Sequence, residues 1–278
     1  MDKRPIGVFD SGLGGLTVVK EIKKLLPNED IVYFGDTGRV PYGTRSKETI
    51  IGYACQDINF LLDKDVKMII AACGTVSAIL PSSIVSTLSM PYTGVVLPAS
   101  QSACVTSLNG RIGVIGTPTT IKSGAYGKAI RSIRPDAVVT GNACPLFVPL
   151  VENGYVGKDN PVTRLVAQDY LKVFMQSEID TLILGCTHFP IIRDIISDFT
   201  GESVSLINPG EETARYTAAL LTKEHLLNPS EQTGSCKFYV SDSPAGFCEI
   251  GSLFLGESIT DAVEQISIDR YPQIINKQ

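Results

Sequence analysis

Two cysteines, Cys73 and Cys186, stand 113 residues apart in closely similar surroundings. Each follows a short apolar run typical of a buried strand, and a threonine follows each within two residues. Two thiols held at equivalent places in two similar halves can face one ligand from opposite sides. One of them, as thiolate, could remove a proton from a carbon atom while the other, as thiol, protonates the opposite face. The pair therefore predicts acid–base chemistry at a carbon centre.

The two cysteines also have a simpler interpretation. A lone cysteine at the end of a buried strand is usually a small core residue. A helix N-terminus directly after the sulfur would instead stabilise the thiolate and lower its pKa from about 8.5, and we expect this at both positions. The remaining cysteines lack such a setting and are interpreted as free thiols without a role: Cys55, Cys104, Cys144, Cys236 and Cys248.

The elements that must position these thiols alternate between short apolar runs and amphipathic stretches, which indicates α/β units with parallel strands. Strands are predicted before each cysteine, over Lys67–Ala72 and Asp180–Gly185. Further along the first half, the pattern predicts a helix over Val76–Ser86 and a strand over Tyr92–Val96.

A weak internal repeat divides the chain into two such units. Gly7–Ser11 matches Gly113–Thr117, and Gly35-Asp36 matches Gly141-Asn142, both at a spacing of 106 residues. We therefore predict an α/β protein with two pseudo-symmetric lobes, mainly parallel sheets and the active site in the cleft between the lobes. The boundaries expected from the pattern are 1–97 plus 211–278 for a discontinuous first lobe and 98–210 for the second.

The predicted strand ends carry the polar side chains that could bind a ligand. In open parallel sheets ligands bind beyond the carboxyl ends of the strands, so facing lobes would bring these side chains to one cleft. The set is Asp10, Ser11, Asp36, Cys73, Thr117, Asn142, Cys186 and Thr187. Pro41, Tyr42 and Gly43 lie in the loop after the second strand, where turn formation and ligand contact are both plausible interpretations.

The segment Asp10–Gly15 places a carboxylate and a hydroxyl before a glycine-rich turn that leads into a helix. Backbone N–H groups in such a turn can hold an anion. The glycine spacing fits neither a Walker A motif nor a dinucleotide fingerprint, so a carboxylate-bearing ligand is favoured over a nucleotide. Asp10 would then meet an ammonium group or handle protons, with a structural helix cap as the alternative. His188 could hydrogen-bond a bound ligand, assist proton transfer at Cys186 or be a satisfied, partly buried histidine.

The composition narrows the class of protein. A content of 44% hydrophobic and 19% charged residues is that of an ordinary globular protein, and a net charge of −5 argues against a nucleic-acid surface. The sequence has two histidines and no C-x-x-C pair, so no metal site is predicted. No apolar run is long enough for a membrane helix, and a strand-like segment begins near Ile6 without a secretory leader. We therefore expect a cytoplasmic protein with free thiols.

Taken together, these segments resemble the cofactor-independent glutamate racemases over nearly the whole chain. The resemblance depends on the combination, since any one segment alone would be weak. The segments are Phe9–Gly15, Gly35–Thr37, Pro41–Gly43, the Cys73 region, Gly116–Thr120, Ala143–Glu152, Leu184–Pro190 and Phe254–Gly256.

The resemblance implies a two-base mechanism that interconverts L- and D-glutamate and supplies the D-isomer for peptidoglycan. Cys186 would act on L-glutamate and Cys73 on D-glutamate, assisted by His188 and Asp10 respectively. It further implies a homodimer, no cofactor and no metal. Substrate contacts are expected from these residues and from Ser11, Asp36, Pro41, Tyr42, Gly43, Gly74, Thr75, Thr117, Thr120, Glu152 and Thr187.

One position departs from the family pattern. The family usually has asparagine after the first cysteine, where this chain has Gly74. Glycine offers no side-chain hydrogen bond, so racemisation of aspartate or another acidic amino acid stays open as an alternative. A thiol hydrolase that uses Cys186 and His188 would leave Cys73 idle, and an anion-binding protein with inert thiols is the non-enzymatic alternative.

Overall fold

A computed structural model describes residues 1–259 and 263–275 as two parallel β-sheets with helices on their faces. The strands are β1 Ile6–Asp10, β2 Ile31–Gly35, β3 Met68–Ala71, β4 Tyr92–Gly94, β5 Arg111–Gly116, β6 Val138–Ala143, β7 Thr181–Leu184, β8 Ser205–Ile207, β9 Cys236–Val240 and β10 Val263–Gln265.

The two sheets share one topology. The first has the order β10-β9-β2-β1-β3-β4 and the second the order β6-β5-β7-β8, and every described pairing is parallel. Four strands of the first sheet, β2-β1-β3-β4, therefore correspond one to one with the whole second sheet. This confirms the prediction of an α/β protein with two pseudo-symmetric lobes. We call the lobe with the six-stranded sheet the first lobe and the other the second lobe; the boundaries predicted between them stay a prediction.

The central strands are apolar along their whole length because both faces are covered. Every residue of β1, β3 and β7 is buried, which is typical of parallel sheets packed between helices. The helices are α1 Leu16–Leu25, α2 Lys47–Asp63, α3 Gly74–Ile79, α4 Ser82–Val85, α5 Val96–Thr106, α6 Pro118–Ser123, α7 Ala125–Ile133, α8 Phe147–Glu152, α9 Pro161–Met175, α10 Arg193–Thr200, α11 Pro209–Lys223 and α12 Pro244–Leu255.

Two predicted elements differ from the structure for local reasons. The helix expected over Val76–Ser86 is divided into α3 and α4, because Pro81 cannot continue a helix. The strand expected over Tyr92–Val96 ends at Gly94, and Val96 begins α5. Valine is common in strands, and here the packing of α5 overrides that preference.

None of the described helices is long and apolar enough to cross a membrane.

Candidate active site

A cavity of about 310 Å³ lies between the lobes, at the carboxyl ends of their strands. Four residues predicted to face the cleft are not part of its wall: Asp10, Asp36, Thr120 and Asn142, whose side-chain amide instead donates to the Tyr170 carbonyl at 2.7 Å. The other predicted site residues all line it: Ser11, Pro41, Tyr42, Gly43, Cys73, Gly74, Thr75, Thr117, Glu152, Cys186, Thr187 and His188.

The two thiols occupy equivalent places in the two lobes. Cys73 lies just beyond the end of β3, and Cys186 lies just beyond the end of β7. These strands correspond in the shared topology, and both cysteines are almost buried, with exposed fractions of 5% and 8%. Both line the same cavity, so one small ligand there meets a thiol from each lobe.

Cys73 is held as a neutral thiol. Burial and then the nearby Asp10 carboxylate raise its pKa to about 12, against smaller lowering effects of the Val76 amide and the Ser11 hydroxyl. Its Sγ atom donates to Ser11 Oγ at 3.5 Å. Although α3 begins directly after Cys73, the lowered pKa expected there is wrong, because burial outweighs the helix terminus.

Asp10 lies beneath the glycine-rich turn and is 1% exposed. Its Oδ2 atom accepts a hydrogen bond from the Gly12 amide at 2.9 Å, while Oδ1 has no hydrogen-bond partner among the described residues. Burial raises the pKa of this carboxyl, against the opposing effect of His188. The Tyr33 hydroxyl donates to the Gly12 carbonyl at 2.7 Å and fixes the turn over the carboxyl. Asp10 is therefore a preorganised group that can exchange a proton.

Cys186 has a different partner. Nδ1 of His188 lies 3.8 Å from its sulfur, and Nε2 of the same ring lies 2.9 Å from Oε1 of Glu152. Burial lowers the pKa of His188, but the hydrogen bonds to Cys186 and Glu152 overcome this and raise it to about 10. The ring of Phe254 packs edge-on against the imidazole at 5.2 Å. A charged imidazolium therefore stands beside Cys186 at neutral pH.

Hydroxyl groups link the two lobes around the cavity. Thr75 Oγ1 lies 3.0 Å from Thr117 Oγ1, which lies 2.9 Å from Thr120 Oγ1. Thr117 also caps α6 by accepting from the Thr120 amide at 3.3 Å, so its position is fixed. Thr120 thus does not line the cavity itself but holds Thr117, which does. These hydroxyl groups can donate hydrogen bonds to a carboxylate that enters between the lobes.

Asp36 lies behind the loop that carries Tyr42 and is fully buried. It accepts hydrogen bonds from the Tyr42 hydroxyl, from Arg39 Nε at 2.6 Å and from Ser241 Oγ at 2.8 Å. The nearby Asp57 has its pKa raised by burial and by the charge on Asp36. Tyr42 lines the cavity while its hydroxyl is held by Asp36, so Asp36 supports the loop rather than lining the cavity.

Sequence reasoning missed the apolar part of the wall. Val40 of the first lobe and Val148 of the second line the cavity with Leu13, Pro145 and Pro149. Three of these residues are in or next to α8, a helix that the sequence analysis did not predict. The available signal was the run Pro145–Glu152, whose apolar residues lead directly to an acidic one.

Within the described ranges, His, Cys, Asp and Glu side chains nowhere form a group of three or more that could hold a metal ion.

Comparison with known proteins gives one consistent result. A family model described as Asp/Glu/Hydantoin racemase matches residues 6–217. The chain is 47% identical to a glutamate racemase of Geobacter metallireducens over 269 residues, which cover 97% of this chain and 98% of that protein.

Solved structures give the same picture. The crystal structure of glutamate racemase from Francisella tularensis in complex with D-glutamate is similar with a TM-score of 0.90 and 42% identity, covering 98% of this chain and 100% of that one. An Escherichia coli glutamate racemase in complex with L-glutamate and the activator UDP-MurNAc-ala is similar with a TM-score of 0.72 and 26% identity, covering 91% and 94% of the two chains.

Proposed function

The chain belongs to the Asp/Glu/Hydantoin racemase family, and we propose that it interconverts L-glutamate and D-glutamate by proton transfer between two thiols and the α-carbon. The observation that carries the proposal is the pairing of Cys73 and Cys186 at equivalent strand ends of one cavity. Relatives that are named glutamate racemase and match nearly the full length support the choice of substrate.

The environments of the thiols suit opposite roles. The His188 imidazolium stabilises negative charge on Cys186, which can then remove the α-proton of L-glutamate. The C–H bond breaks, the S–H bond of Cys186 forms, and the electron pair stays on the α-carbon. Cys73, a neutral thiol, donates its proton to the opposite face and becomes a thiolate, which gives D-glutamate. The reverse reaction begins at Cys73, with Asp10 in position to accept and return the proton.

The weak acidity of an α-hydrogen sets the main energetic problem. A thiolate can remove it only where the site stabilises the negative charge that develops beside the α-carboxylate. Hydroxyl donors from both lobes, held by their own hydrogen bonds, supply this stabilisation without reorganising during the reaction. They are Ser11, Thr75, Thr117 and Thr187. Val40 and Val148 add apolar surface to the same cavity, which strengthens these electrostatic interactions.

Three further properties follow from the resemblance to the cofactor-independent glutamate racemases. The reaction proceeds without pyridoxal phosphate or a metal ion. The two thiols transfer the protons, and the hydroxyl groups that donate to the substrate carboxylate stabilise the charge. The D-glutamate that forms is used for peptidoglycan. The enzyme acts in the cytoplasm as a homodimer.

The test is the change in optical rotation or circular dichroism of L- and D-glutamate incubated with the purified, dialysed protein. We expect both enantiomers to reach the racemic mixture without added cofactor, and we expect aspartate to react far more slowly. Cys104→Ser, which changes a thiol away from the cavity, serves as a control and retains the activity. Stable optical signals from glutamate in the presence of folded protein would refute the assignment.

A further inference from the structure

Three glycines of the first lobe lie against the second lobe, and two of them, Gly43 and Gly74, line the cavity. A Cβ atom at Gly43 would lie 3.0 Å from the Cβ of Thr117, and one at Gly14 would lie 2.1 Å from the Thr187 hydroxyl oxygen and 2.7 Å from the ring of His188. A Cβ at Gly74 would lie 2.5 Å from the carbonyl oxygen of Gly185. The lobes therefore meet at positions where the first lobe lacks side chains.

Gly74 differs from the other two because its neighbour is backbone. Side chains such as those of Thr117 and His188 can rotate away, whereas a carbonyl in a strand connection cannot. The Gly185 amide donates to the Ile115 carbonyl at 2.7 Å, which ties this peptide to β5. On the other side, the Cys73 carbonyl accepts from the Ser77 amide at 2.9 Å, so the start of α3 is equally fixed.

The contact joins the two segments that carry the reactive thiols. Gly74 directly follows Cys73, and Gly185 directly precedes Cys186. Both glycines are buried. A contact of 2.5 Å is shorter than any that a Cβ atom tolerates, so a side chain at position 74 must push the two segments apart.

We propose that Gly74 is a positioning residue that sets the separation of the Cys73 and Cys186 thiols, so that one carbanion can be protonated from the face opposite to its deprotonation. The inference rests on the proposed racemase function. It also gives a different explanation for the glycine at this position, where the family usually has asparagine. In this chain the space of the missing side chain is occupied by the Gly185 carbonyl, so asparagine would separate the thiols instead of restoring a substrate contact.

A wider separation has a specific chemical consequence. The thiolate nearer to the substrate still removes the α-proton, since only one thiol takes part in that step. The carbanion then takes a hydrogen back from the same thiol more often than from the distant one. In heavy water that thiol exchanges its proton for deuterium, so the returned substrate carries deuterium with its configuration retained.

The test compares Gly74→Ala and Gly74→Asn with the wild type in heavy water. Gly246→Ala is the matched control, because a Cβ at Gly246 has no neighbour within 4 Å. We expect kcat to fall on the order of 10-fold to 100-fold, as small misplacements of reacting groups do, with KM changed less than about threefold. The ratio of deuterium in recovered L-glutamate to deuterium in the D-glutamate product should rise at least about threefold at early conversion.

Each result decides one point. A wild type without racemase activity would refute the proposed function itself. An active wild type with an equally active Gly74→Ala would refute only the positioning role. A fall in kcat with an unchanged deuterium ratio, or a variant that does not fold by circular dichroism, would also overturn it, because the contact would then serve folding rather than thiol separation.

Discussion

His188 Nε2 lies 2.9 Å from Glu152 Oε1. Glu152 belongs to α8, and it favours the charged form of the imidazole. The other nitrogen of the same ring, Nδ1, lies beside the sulfur of Cys186. On the opposite wall, Cys73 has Ser11 and Asp10 as its neighbours, and its pKa is raised by burial and by the Asp10 charge. Before substrate binds, the site therefore pairs an imidazolium with Cys186 and holds Cys73 as a neutral thiol.

Replacing Glu152 by glutamine should remove the carboxylate that helps to keep His188 charged. Without the carboxylate, we expect the pKa of His188 to fall from about 10 toward its ordinary value of 6.5. An imidazole is charged below its pKa and neutral above it, so the ring should lose its proton at a lower pH in the variant than in the wild type, with the contact to Cys186 still favouring the charged form. Nitrogen NMR of the imidazoles measures this directly. An unchanged His188 titration would contradict the account.

The two thiols should differ in reactivity toward iodoacetamide. The thiolate is the reactive form, and a pKa of about 12 leaves Cys73 protonated at pH 7.5. We expect Cys186 to be alkylated on the order of 10-fold faster than Cys73. Labelling of Cys73 should grow roughly tenfold per pH unit between pH 7 and 10, since its thiolate fraction does so below the pKa. Peptide mass spectrometry measures both rates, and faster labelling of Cys73 at pH 7.5 would show the assignment to be reversed.

Asp10→Asn should impair proton transfer at Cys73 without large changes in the structure of the site. Loss of an acid–base group typically costs on the order of 10²–10⁴ in rate, and we expect kcat/KM to fall into that range. L- and D-glutamate have equal free energy in water, so kcat/KM must fall equally for both. Initial rates from each enantiomer test this, and a loss of less than about threefold would exclude Asp10 from proton transfer.

The hydroxyl contact between the lobes should contribute measurably to transition-state binding. Thr75→Val and Thr117→Val each remove one partner of a 3.0 Å hydrogen bond. A double-mutant cycle on kcat/KM is expected to give a coupling energy of about 0.5–1.5 kcal/mol, the usual net value of such a bond. Thr75→Ser keeps the hydroxyl and should retain most of the activity. Additive effects of the two valine substitutions would show that the hydroxyls act independently.

The repeat made the fold predictable from the sequence. Matching segments around Gly7 and Gly113 implied two similar units, and the strand orders β2-β1-β3-β4 and β6-β5-β7-β8 confirm them. Periodicity also located the strands that end at both cysteines, because buried parallel strands are apolar without interruption. The three-residue strand β10 has two exposed residues, so it carries no such pattern.

The electrostatics of the site could not be predicted in the same way. The sequence placed His188 two residues after Cys186 without requiring a contact, but in the structure hydrogen bonds to both Cys186 and Glu152 raise the pKa of the ring, and Glu152 lies 36 residues earlier. For Cys73, local sequence pointed to a helix terminus, whereas burial determines its pKa and depends on packing from the whole lobe. The space between Gly74 and Gly185 is likewise a property of the closed lobes and not of either segment.

The most direct test of the two-thiol account measures exchange of the α-hydrogen of each glutamate enantiomer in heavy water. Wild type is compared with Cys73→Ser and Cys186→Ser, with Cys104→Ser as the control. The account predicts deuterated product of inverted configuration from wild type and control, and a loss of inversion of at least about 10³-fold in each active-site variant. Inversion that persists in either variant at more than about a tenth of the wild-type rate would contradict a mechanism that needs both thiols.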